Sequence, residues 1–409
     1  MPPDLDVSEL QQLFQLAQQP EQLLQLDNCQ SPDIIRIPST PSERQAEAVA
    51  RERGEAALRK NTVAVILVAG GQGTRLGHDA PKGTYPIGPV TQRSLFQIHA
   101  EKVLALQRKY QCRLPLLIMT SEENDAATRD FFAQHRYFGL SPASVTFFTQ
   151  GMLPALDMAT GAVLKKNEHE LALSPNGHGG VIQALHEAGH LDSLARQGVR
   201  QCFYFQVDNP LVKIADPVFL GHHLAADAEM SLKVVSKLHA HERMGCLVQL
   251  DGRCRMIEYT ELPKALAEET NGDGQLRLWA GSPAIHLFSL AFLQKLGRGD
   301  ITLPYHVARK VVPYWTPANG IVKPEKPNAF KFERFVFDAL PLAERVVAME
   351  VSRTEEFEPL KNCEGDNSPA TVRQALSDQY KRWLQENGKT PGDGLLELSP
   401  LEMLGKVTE

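Results

Sequence analysis

Apolar and polar residues alternate along the chain in blocks that predict strands separated by helices. Five short runs are rich in apolar, β-branched and aromatic residues. Segments with helical periodicity, at 94–110 and 123–136, separate the first three of these runs. We interpret these runs as strands: 63–69, 115–120, 145–149, 202–207 and 231–236. Such alternation favours a mainly parallel sheet with helices on both faces. The sequence therefore predicts an α/β fold whose ligands bind at the carboxyl ends of the strands.

The chain on either side of this core has other patterns. An apolar stripe at 8–26, interrupted by Pro20, and an Ala-, Glu- and Arg-rich segment at 42–60 predict helices. A hairpin-like pattern follows at 245–260, and short strands with a helix are expected near the end of the chain. We therefore divide the chain into a helical N-terminal region, a central α/β domain and a small C-terminal domain, with the bounds 1–58, 59–340 and 341–409.

The composition is that of an ordinary globular protein and limits its partners. The chain has 409 residues, 43% hydrophobic and 22% charged, with a net charge of −6. Because it has no dense Lys/Arg block, we expect neither nucleic acid nor an anionic membrane as a partner. No stretch reaches the ~18 apolar residues of a membrane span, and the first residues lack a signal-peptide pattern. Six cysteines without a C-x-x-C pair are typical of reduced thiols, so we expect a cytoplasmic protein.

The first predicted strand runs into a glycine-rich loop, G-G-Q-G-T-R-L at 70–76, which a Pro-Lys pair at 81–82 follows. Glycines let backbone N–H groups approach a ligand, while Arg75 and Lys82 offer cations suited to phosphate oxygens. The chain has no G-x-x-x-x-G-K-[ST] P-loop, and Leu76 occupies the third glycine position of the dinucleotide fingerprint. The loop therefore predicts a cradle for a nucleoside triphosphate of another class. The alternative is a structural turn with solvated cations.

Two motifs further along the chain add candidate ligands. Asp208 closes the strand predicted at 202–207, where a carboxylate can hold Mg²⁺ against phosphate oxygens; a turn cap is the alternative. A second glycine-rich turn, S-P-N-G-H-G-G at 174–180, opens a helix and suits close approach of a base or sugar.

A zinc-hydrolase motif, H-E-x-x-H, occurs literally at 186–190. On one helix face, His186 and His190 would both reach a zinc ion. Gly189 weakens a helix there, and no obvious third ligand follows. We expect solvated or capping histidines instead.

These segments, in this order, resemble the eukaryotic-type UDP-N-acetylglucosamine pyrophosphorylases and the wider UDP-glucose and UDP-sugar pyrophosphorylase group. The resemblance extends over roughly 63–380. It includes V-D-N at 207–209, I-E-Y at 257–259, K-F-E-R-F-V-F-D at 331–338 and F-E-P-L-K-N at 357–362. It implies that 59–340 is a Rossmann-like nucleotidyltransferase domain that converts UTP and a sugar-1-phosphate into a UDP-sugar and pyrophosphate with Mg²⁺.

The resemblance also implies roles for individual residues, in three groups. The phosphates would be held by Arg75, Lys82 and Lys361, and the metal by Asp208. The nucleotide would contact Gly70, Gly71, Gly73, Gln150 and Gly177, the last two at the uracil. The sugar would lie among His178, Gly245, Glu258, Phe335 and Phe337.

Two departures from the acetylglucosamine members concern the sugar. His178 replaces the second Asn of P-[ND]-G-N-G-G, and W-A-G-S at 279–282 replaces N-A-G-N. Amides suited to an N-acetyl group are thus missing, and Trp279 would crowd that group. We therefore expect glucose-1-phosphate to be used at least as well as N-acetylglucosamine-1-phosphate. The sequence leaves the oligomeric state open between a monomer and a weak dimer.

The implied reaction is a direct in-line displacement, in which a sugar-1-phosphate oxygen attacks the α-phosphorus of UTP. It agrees with a sequence that offers scattered cations and one carboxylate but no nucleophile–base pair. An inactive nucleotide-sugar sensor on the same fold is an alternative, which the presence of Arg75, Lys82, Asp208 and Lys361 disfavours. A zinc hydrolase built on the H-E-x-x-H motif is the third possibility.

Overall fold

The computed structural model describes residues 7–19, 25–26 and 28–404. The helices are α1 Val7–Gln18, α2 Pro41–Arg59, α3 Leu95–Tyr110, α4 Asp125–Gln134, α5 Gly180–Glu187, α6 His190–Arg196, α7 Pro217–Ala225, α8 Lys264–Glu268, α9 Leu290–Gly297, α10 Arg353–Glu356, α11 Pro369–Glu386 and α12 Pro400–Leu404. The strands are β1 Ile34–Ile35, β2 Val63–Val68, β3 Leu116–Thr120, β4 Val145–Thr149, β5 Met152–Pro154, β6 Leu156–Asp157, β7 Leu173–Pro175, β8 Gln201–Gln206, β9 Met230–Ser236, β10 Cys246–Leu250, β11 Arg253–Ile257, β12 Ala280–Gly281, β13 His286–Ser289, β14 His306–Lys310, β15 Tyr314–Thr316, β16 Gly320–Val322, β17 Ala329–Glu333 and β18 Val346–Glu350. Within the described ranges, no helix combines the length and the apolar character needed to cross a bilayer.

The central sheet has the glycine-loop strand β2 in its interior. Its main order is β4–β3–β2–β8–β13–β9–β18–β1, and β12 continues from the end of β9 towards β10 and β11. The pairs among β4, β3, β2 and β8 are parallel, as are β9–β18 and β18–β1. Strand β13 is antiparallel to both β8 and β9. The predicted α/β fold with a mostly parallel central sheet is confirmed.

The predicted elements of this core agree with the structure to within three residues. The five predicted strands are β2, β3, β4, β8 and β9, the predicted helices are α3 and α4, and the hairpin is β10–β11. The segment predicted as a helix at 42–60 is α2. The stripe at 8–26 forms α1, which ends at Gln18, and residues 20–24 of that prediction lie outside the described residues.

Helices cover both faces of the sheet. On one face, α2, α3, α7 and α11 pack with Val65, Leu67 and Phe203 in one apolar core. On the other, α5, α6 and α9 pack with Ile66 and Tyr204. Successive strand residues point to opposite faces, so a strand covered on both sides must be apolar throughout. This burial explains the unbroken apolar run of β2.

Helix α2 is part of this layered structure. Thr40 begins it with a capping box: its hydroxyl accepts a hydrogen bond from the Glu43 N–H, and the Glu43 carboxylate accepts one from the Thr40 N–H. The helix packs so closely on α7 that a Cβ added at Gly221 would lie 1.7 Å from the carbonyl oxygen of Ala50. Helix α2 and the paired strands β1 and β18 join both end regions to the central layer. The domain bounds at 58 and 341 stay a prediction.

Candidate active site

The glycine-rich loop leaves the carboxyl end of β2 and folds back on itself. The backbone N–H of Lys82 donates to the carbonyl of Gly71 at 3.1 Å, and the side-chain amide of Asn124 donates to the same carbonyl at 3.3 Å. Gly71 is exposed, and a Cβ there would meet no heavy atom within 4 Å. Gly73 is buried against His78, which gives it a packing role in the loop. The loop therefore presents bare backbone at Gly71. Asn124 holds this backbone in place, and no sequence motif around Asn124 indicates that role.

The predicted phosphate and metal residues meet beside this loop. Strands β2 and β8 are neighbours, and the Nζ of Lys82 lies 3.4 Å from Oδ2 of Asp208, with side chains 18% and 14% exposed. The N–H of Leu360 donates to the backbone carbonyl of Asp208 at 2.8 Å, which brings Lys361 to the same edge. Arg75 is exposed on the loop. Among the described side chains, no carboxylate forms an ion pair with Arg75 or Lys361. This edge thus concentrates positive charge around one carboxylate.

The residues predicted for uracil come together on the far side of the loop. A Cβ on Gly70 would lie 2.5 Å from Oε1 of Gln150, whose side chain is buried. The turn that carries Gly177 is held beside Gln150, because the N–H of Asn176 donates to the carbonyl of residue 151 at 3.0 Å. Ser121 Oγ and Asn176 Oδ1 are buried without a hydrogen-bond partner among the described atoms. Gly70, Gln150 and the turn of Gly177, the residues predicted for the base, are therefore neighbours.

His178, Phe335 and Phe337 form an aromatic wall next to this turn. Their ring centroids are 5.2–5.6 Å apart, and His178 is nearly parallel to Phe335 at 19°. The Nδ1 of His178 accepts a hydrogen bond from the Val336 N–H at 3.2 Å. Burial lowers the pKa of His178 to about 4, so at neutral pH the ring is neutral and its Nε2 carries the proton. The wall therefore combines an apolar surface with one defined hydrogen-bond donor.

Glu258 lies across from the aromatic wall, at the end of β11. A Cβ on Gly245 would lie 3.2 Å from Oε1 of Glu258, so the glycine leaves room for that carboxylate. Burial raises the pKa of Glu258, as does Glu261, while His306 and Lys361 oppose this shift. Strand β11 packs against the segment that follows Phe335, so the predicted sugar residues face one cleft.

Several polar residues of this cleft carry no signal in the sequence pattern. His306, on β14, donates from Nε2 to Oδ2 of Asp338 at 2.7 Å, and its ring lies 4.3 Å from that of Phe335. Tyr204 and His286 are buried on paired strands, and within the described structure the Tyr204 hydroxyl and the His286 Nδ1 have no hydrogen-bond partner. Asp338 belongs to the quoted K-F-E-R-F-V-F-D segment, but nothing in the sequence connects it to His306.

The loop that carries Asp208 is held from within the protein. His99 donates from Nε2 to the carbonyl of Val207 at 2.9 Å, and Lys102 donates to two carbonyls further along the loop. Burial lowers the pKa of Lys102 to about 7. Buried hydrogen bonds of this kind fix a backbone firmly, so Asp208 is positioned before any ligand binds.

Trp279 and the H-E-x-x-H segment can also be compared with the structure. The guanidinium carbon of Arg36 lies 4.1 Å from the ring centroid of Trp279, so the N-terminal region covers one face of that ring. The crowding of the sugar by Trp279 stays a prediction. The H-E-x-x-H segment is not one helix: α5 ends before Gly189, which has a φ of +68°, and α6 begins at His190. His186 and His190 therefore do not share a helix face as the zinc motif requires.

The α/β fold, with a glycine-rich loop and the predicted ligand residues at the carboxyl ends of its parallel strands, is that of a nucleotidyltransferase. A family model described as UTP–glucose-1-phosphate uridylyltransferase matches residues 11–390, and the chain belongs to this family. The resemblance seen in the sequence and the expected class of enzyme are thereby confirmed.

Named relatives agree with this family. A UDP-N-acetylhexosamine pyrophosphorylase-like protein 1 of Xenopus tropicalis is 41% identical over 340 residues, which are 81% of this chain and 66% of that protein. The UDP-N-acetylglucosamine pyrophosphorylase of Saccharomyces cerevisiae is 40% identical over 353 residues, 84% of this chain and 74% of that one. Among solved structures, the uridine diphosphate N-acetylglucosamine pyrophosphorylase of Trypanosoma brucei, in complex with an inhibitor, has a TM-score of 0.82 at 29% identity. That match covers 92% of this chain and 81% of the other.

Proposed function

We propose that this chain transfers the uridylyl group of UTP to a sugar-1-phosphate, with release of pyrophosphate. The observation that carries the proposal is the arrangement along one edge of the sheet. The bare backbone of Gly71 and the Lys82–Asp208 pair lie at the carboxyl ends of the neighbouring strands β2 and β8, and the buried Gln150 approaches Gly70 of the same loop. The turn that carries His178 is hydrogen-bonded to residue 151, so the candidate base, phosphate and sugar residues belong to one continuous edge. Family membership supports the same assignment.

The reaction follows from the positions of charge. A phosphate oxygen of the sugar-1-phosphate attacks the α-phosphorus of UTP, that bond forms as the bond to the β-phosphate oxygen breaks, and pyrophosphate leaves in line. In this proposal Lys82 and Arg75 hold the triphosphate and Lys361 holds the incoming phosphate. The Lys82–Asp208 contact and the Leu360–Asp208 hydrogen bond support it, because they bring Lys82 and Lys361 to one edge. Such catalysis needs position and charge neutralisation, without a covalent nucleophile.

The metal of this proposal is Mg²⁺, within a family that generally uses a divalent ion. Asp208 supplies a hard oxygen ligand with its carboxylate partly exposed at the cleft. A single carboxylate fits Mg²⁺, which keeps water ligands and binds through one or two carboxylates plus substrate phosphates. When bound, the ion would neutralise charge on the phosphate oxygens. Activity should therefore vanish in EDTA, return with Mg²⁺ and fall sharply in Asp208→Asn.

For the sugar, we propose N-acetylglucosamine-1-phosphate as the preferred substrate, in place of the preference for glucose-1-phosphate expected from the sequence. Arg36 covers one face of Trp279, which reduces the part of that ring that an acetamide could meet. The Nε2–H of His178 can donate to an acetamide carbonyl as the replaced Asn would. The two relatives named above are an acetylhexosamine and an acetylglucosamine protein, which favours the same sugar.

The test is pyrophosphate release by the purified protein with UTP, ATP or GTP and with each of the two sugar phosphates. We expect turnover with UTP and a higher kcat/KM for the acetylated sugar in direct competition. Absence of turnover with any sugar phosphate, while UDP still binds, would favour the inactive sensor. A preference for glucose-1-phosphate would refute the sugar assignment and leave the uridylyl transfer standing.

A further inference from the structure

His306 contacts the aromatic wall from a different part of the chain. It begins β14, its side chain is 34% exposed, and its ring is tilted 32° against Phe335. Phe335 in turn stacks on His178, which belongs to the glycine-rich turn. Phe335 therefore contacts imidazoles from two separate elements. Its position depends on both.

Asp338 completes a closed set of contacts around Phe335. The N–H of Asp338 donates to the carbonyl of Phe335 at 3.1 Å, and its carboxylate accepts the hydrogen bond from His306 Nε2. The contacts run from the Phe335 backbone through Asp338 to His306 and back to the Phe335 ring. Such a closed set restrains the χ angles of an aromatic side chain more than packing on one face does.

The charges around His306 strengthen this anchor. Carboxylates face it from three elements: Asp338 after β17, Glu333 opposite it in the β14–β17 register, and Glu258 and Glu261 after β11. Burial alone would lower the pKa of His306, but the hydrogen bond and charge of Asp338, together with Glu261 and Glu258, raise it above its ordinary value. The neighbouring His178 stays neutral. A protonated imidazole on an aromatic face is attracted to that ring as well as to its carboxylate.

We propose that His306 is a positioning residue of the sugar site: anchored by Asp338, its ring holds Phe335 against the sugar of a bound UDP-sugar and so sets the affinity for that sugar. The inference rests on the proposed function in one respect, namely that the ligand is a UDP-sugar. It assigns His306 and Asp338 no contact with the reacting phosphates.

The experiment compares the binding of UDP and of UDP-N-acetylglucosamine to the wild-type chain and to His306→Gln, by isothermal titration calorimetry. Glutamine keeps an N–H for Asp338 but lacks the ring and the charge. We expect the Kd of the UDP-sugar to rise about five- to tenfold, while the Kd of UDP stays within about twofold. Asp338→Asn, which removes the anchor and leaves the ring, should shift the UDP-sugar in the same direction.

The pH dependence separates this role from ordinary packing. A raised pKa means that His306 is charged below that pKa and loses its charge as the pH rises through it. The diphosphate of a UDP-sugar is esterified at both ends and does not titrate in this range, so the Kd of the UDP-sugar should rise in the wild type as the pH increases through the pKa of His306. This step should be absent in His306→Gln. If His306 acted by packing alone, the wild type and His306→Gln would show the same pH dependence of the Kd.

His169→Gln is the matched control. That histidine lies 3.9 Å from Glu168 but is 86% exposed, and the substitution should change neither Kd. Wild-type affinity of His306→Gln for the UDP-sugar, equal weakening for UDP, or a persistent pH step would each overturn the inference. A wild-type chain that binds neither ligand would overturn the proposed function as well, which distinguishes the two failures.

Discussion

Replacing Lys82 by alanine should lower the catalytic rate strongly and the free energy of unfolding only slightly. The Nζ lies 3.4 Å from the Asp208 carboxylate, which gives an attraction of roughly 1–5 kcal/mol for effective dielectric constants between about 80 and 20. Lost hydration and side-chain entropy offset most of it, so the pair contributes about 1 kcal/mol to the free energy of unfolding. A fixed donor aimed at charge that develops in the transition state contributes about 3–4 kcal/mol. The rate should therefore fall about 10²- to 10³-fold.

Two measurements on the same protein test this difference. Steady-state pyrophosphate release gives kcat/KM, and urea unfolding gives the free energy of unfolding. Lys295→Ala is a matched control, because Lys295 forms a similar pair with Glu229 at 3.2 Å on the remote helix α9 and should lose no activity. A Lys82→Ala variant within about tenfold of the wild-type kcat/KM would refute the phosphate role. So would a loss of stability large enough to explain the inactivity.

Three further outcomes follow from the structure. Gly177→Ala should lower the free energy of unfolding, measured with urea, by more than about 2 kcal/mol, because φ is +82° and the new Cβ would lie 2.4 Å from a carbonyl oxygen. Gly189→Ala, where φ is +68° and the surrounding space is open, should lower it by only about 1 kcal/mol. Burial lowers the pKa values of His99 and His286 to about 3, so only the unfolded chain binds these protons below about pH 6.5. The free energy of unfolding should then fall with pH from about 6.5 towards 3, by about 1.4 kcal/mol per unit for each histidine, with a shallower slope in His286→Gln. His190→Ala should leave kcat/KM unchanged in the pyrophosphate assay, because His186 and His190 lie on two separate helices. A loss of activity that added zinc reverses would instead indicate that the two histidines bind a metal ion.

The phosphate edge could be predicted because its signals are local. A glycine-rich loop after an apolar strand fixes where Arg75 and Lys82 begin, and Asp208 follows another strand of the same kind. Carboxyl ends of parallel neighbours meet at one edge of a sheet, so the meeting of Lys82 and Asp208 follows from topology. The roles of these residues in catalysis stay predictions until the variants are measured.

The supports of the site could not be predicted, because they depend on contacts between distant segments. His306 reaches Asp338 only because β14 and β17 pair and the chain then turns back. Nothing in the residues around Asn124 or Trp279 indicates that one braces the glycine loop and the other stacks under Arg36. Local periodicity defines elements, whereas these contacts need their arrangement in space.

Strand β18 has a consequence for how the chain folds. It lies between β9 and β1, so Ile34 pairs with Ala348 across almost the whole sequence. Closing so long a loop costs conformational entropy before the strand pairing contributes any stabilising free energy. We therefore expect the pairing of β1 with β18 to be a slow, late step of folding. During synthesis, one edge of β9 stays unpaired until residue 350 has left the ribosome. Unpaired strand edges are templates for aggregation, so we expect the nascent chain to be most vulnerable in that interval.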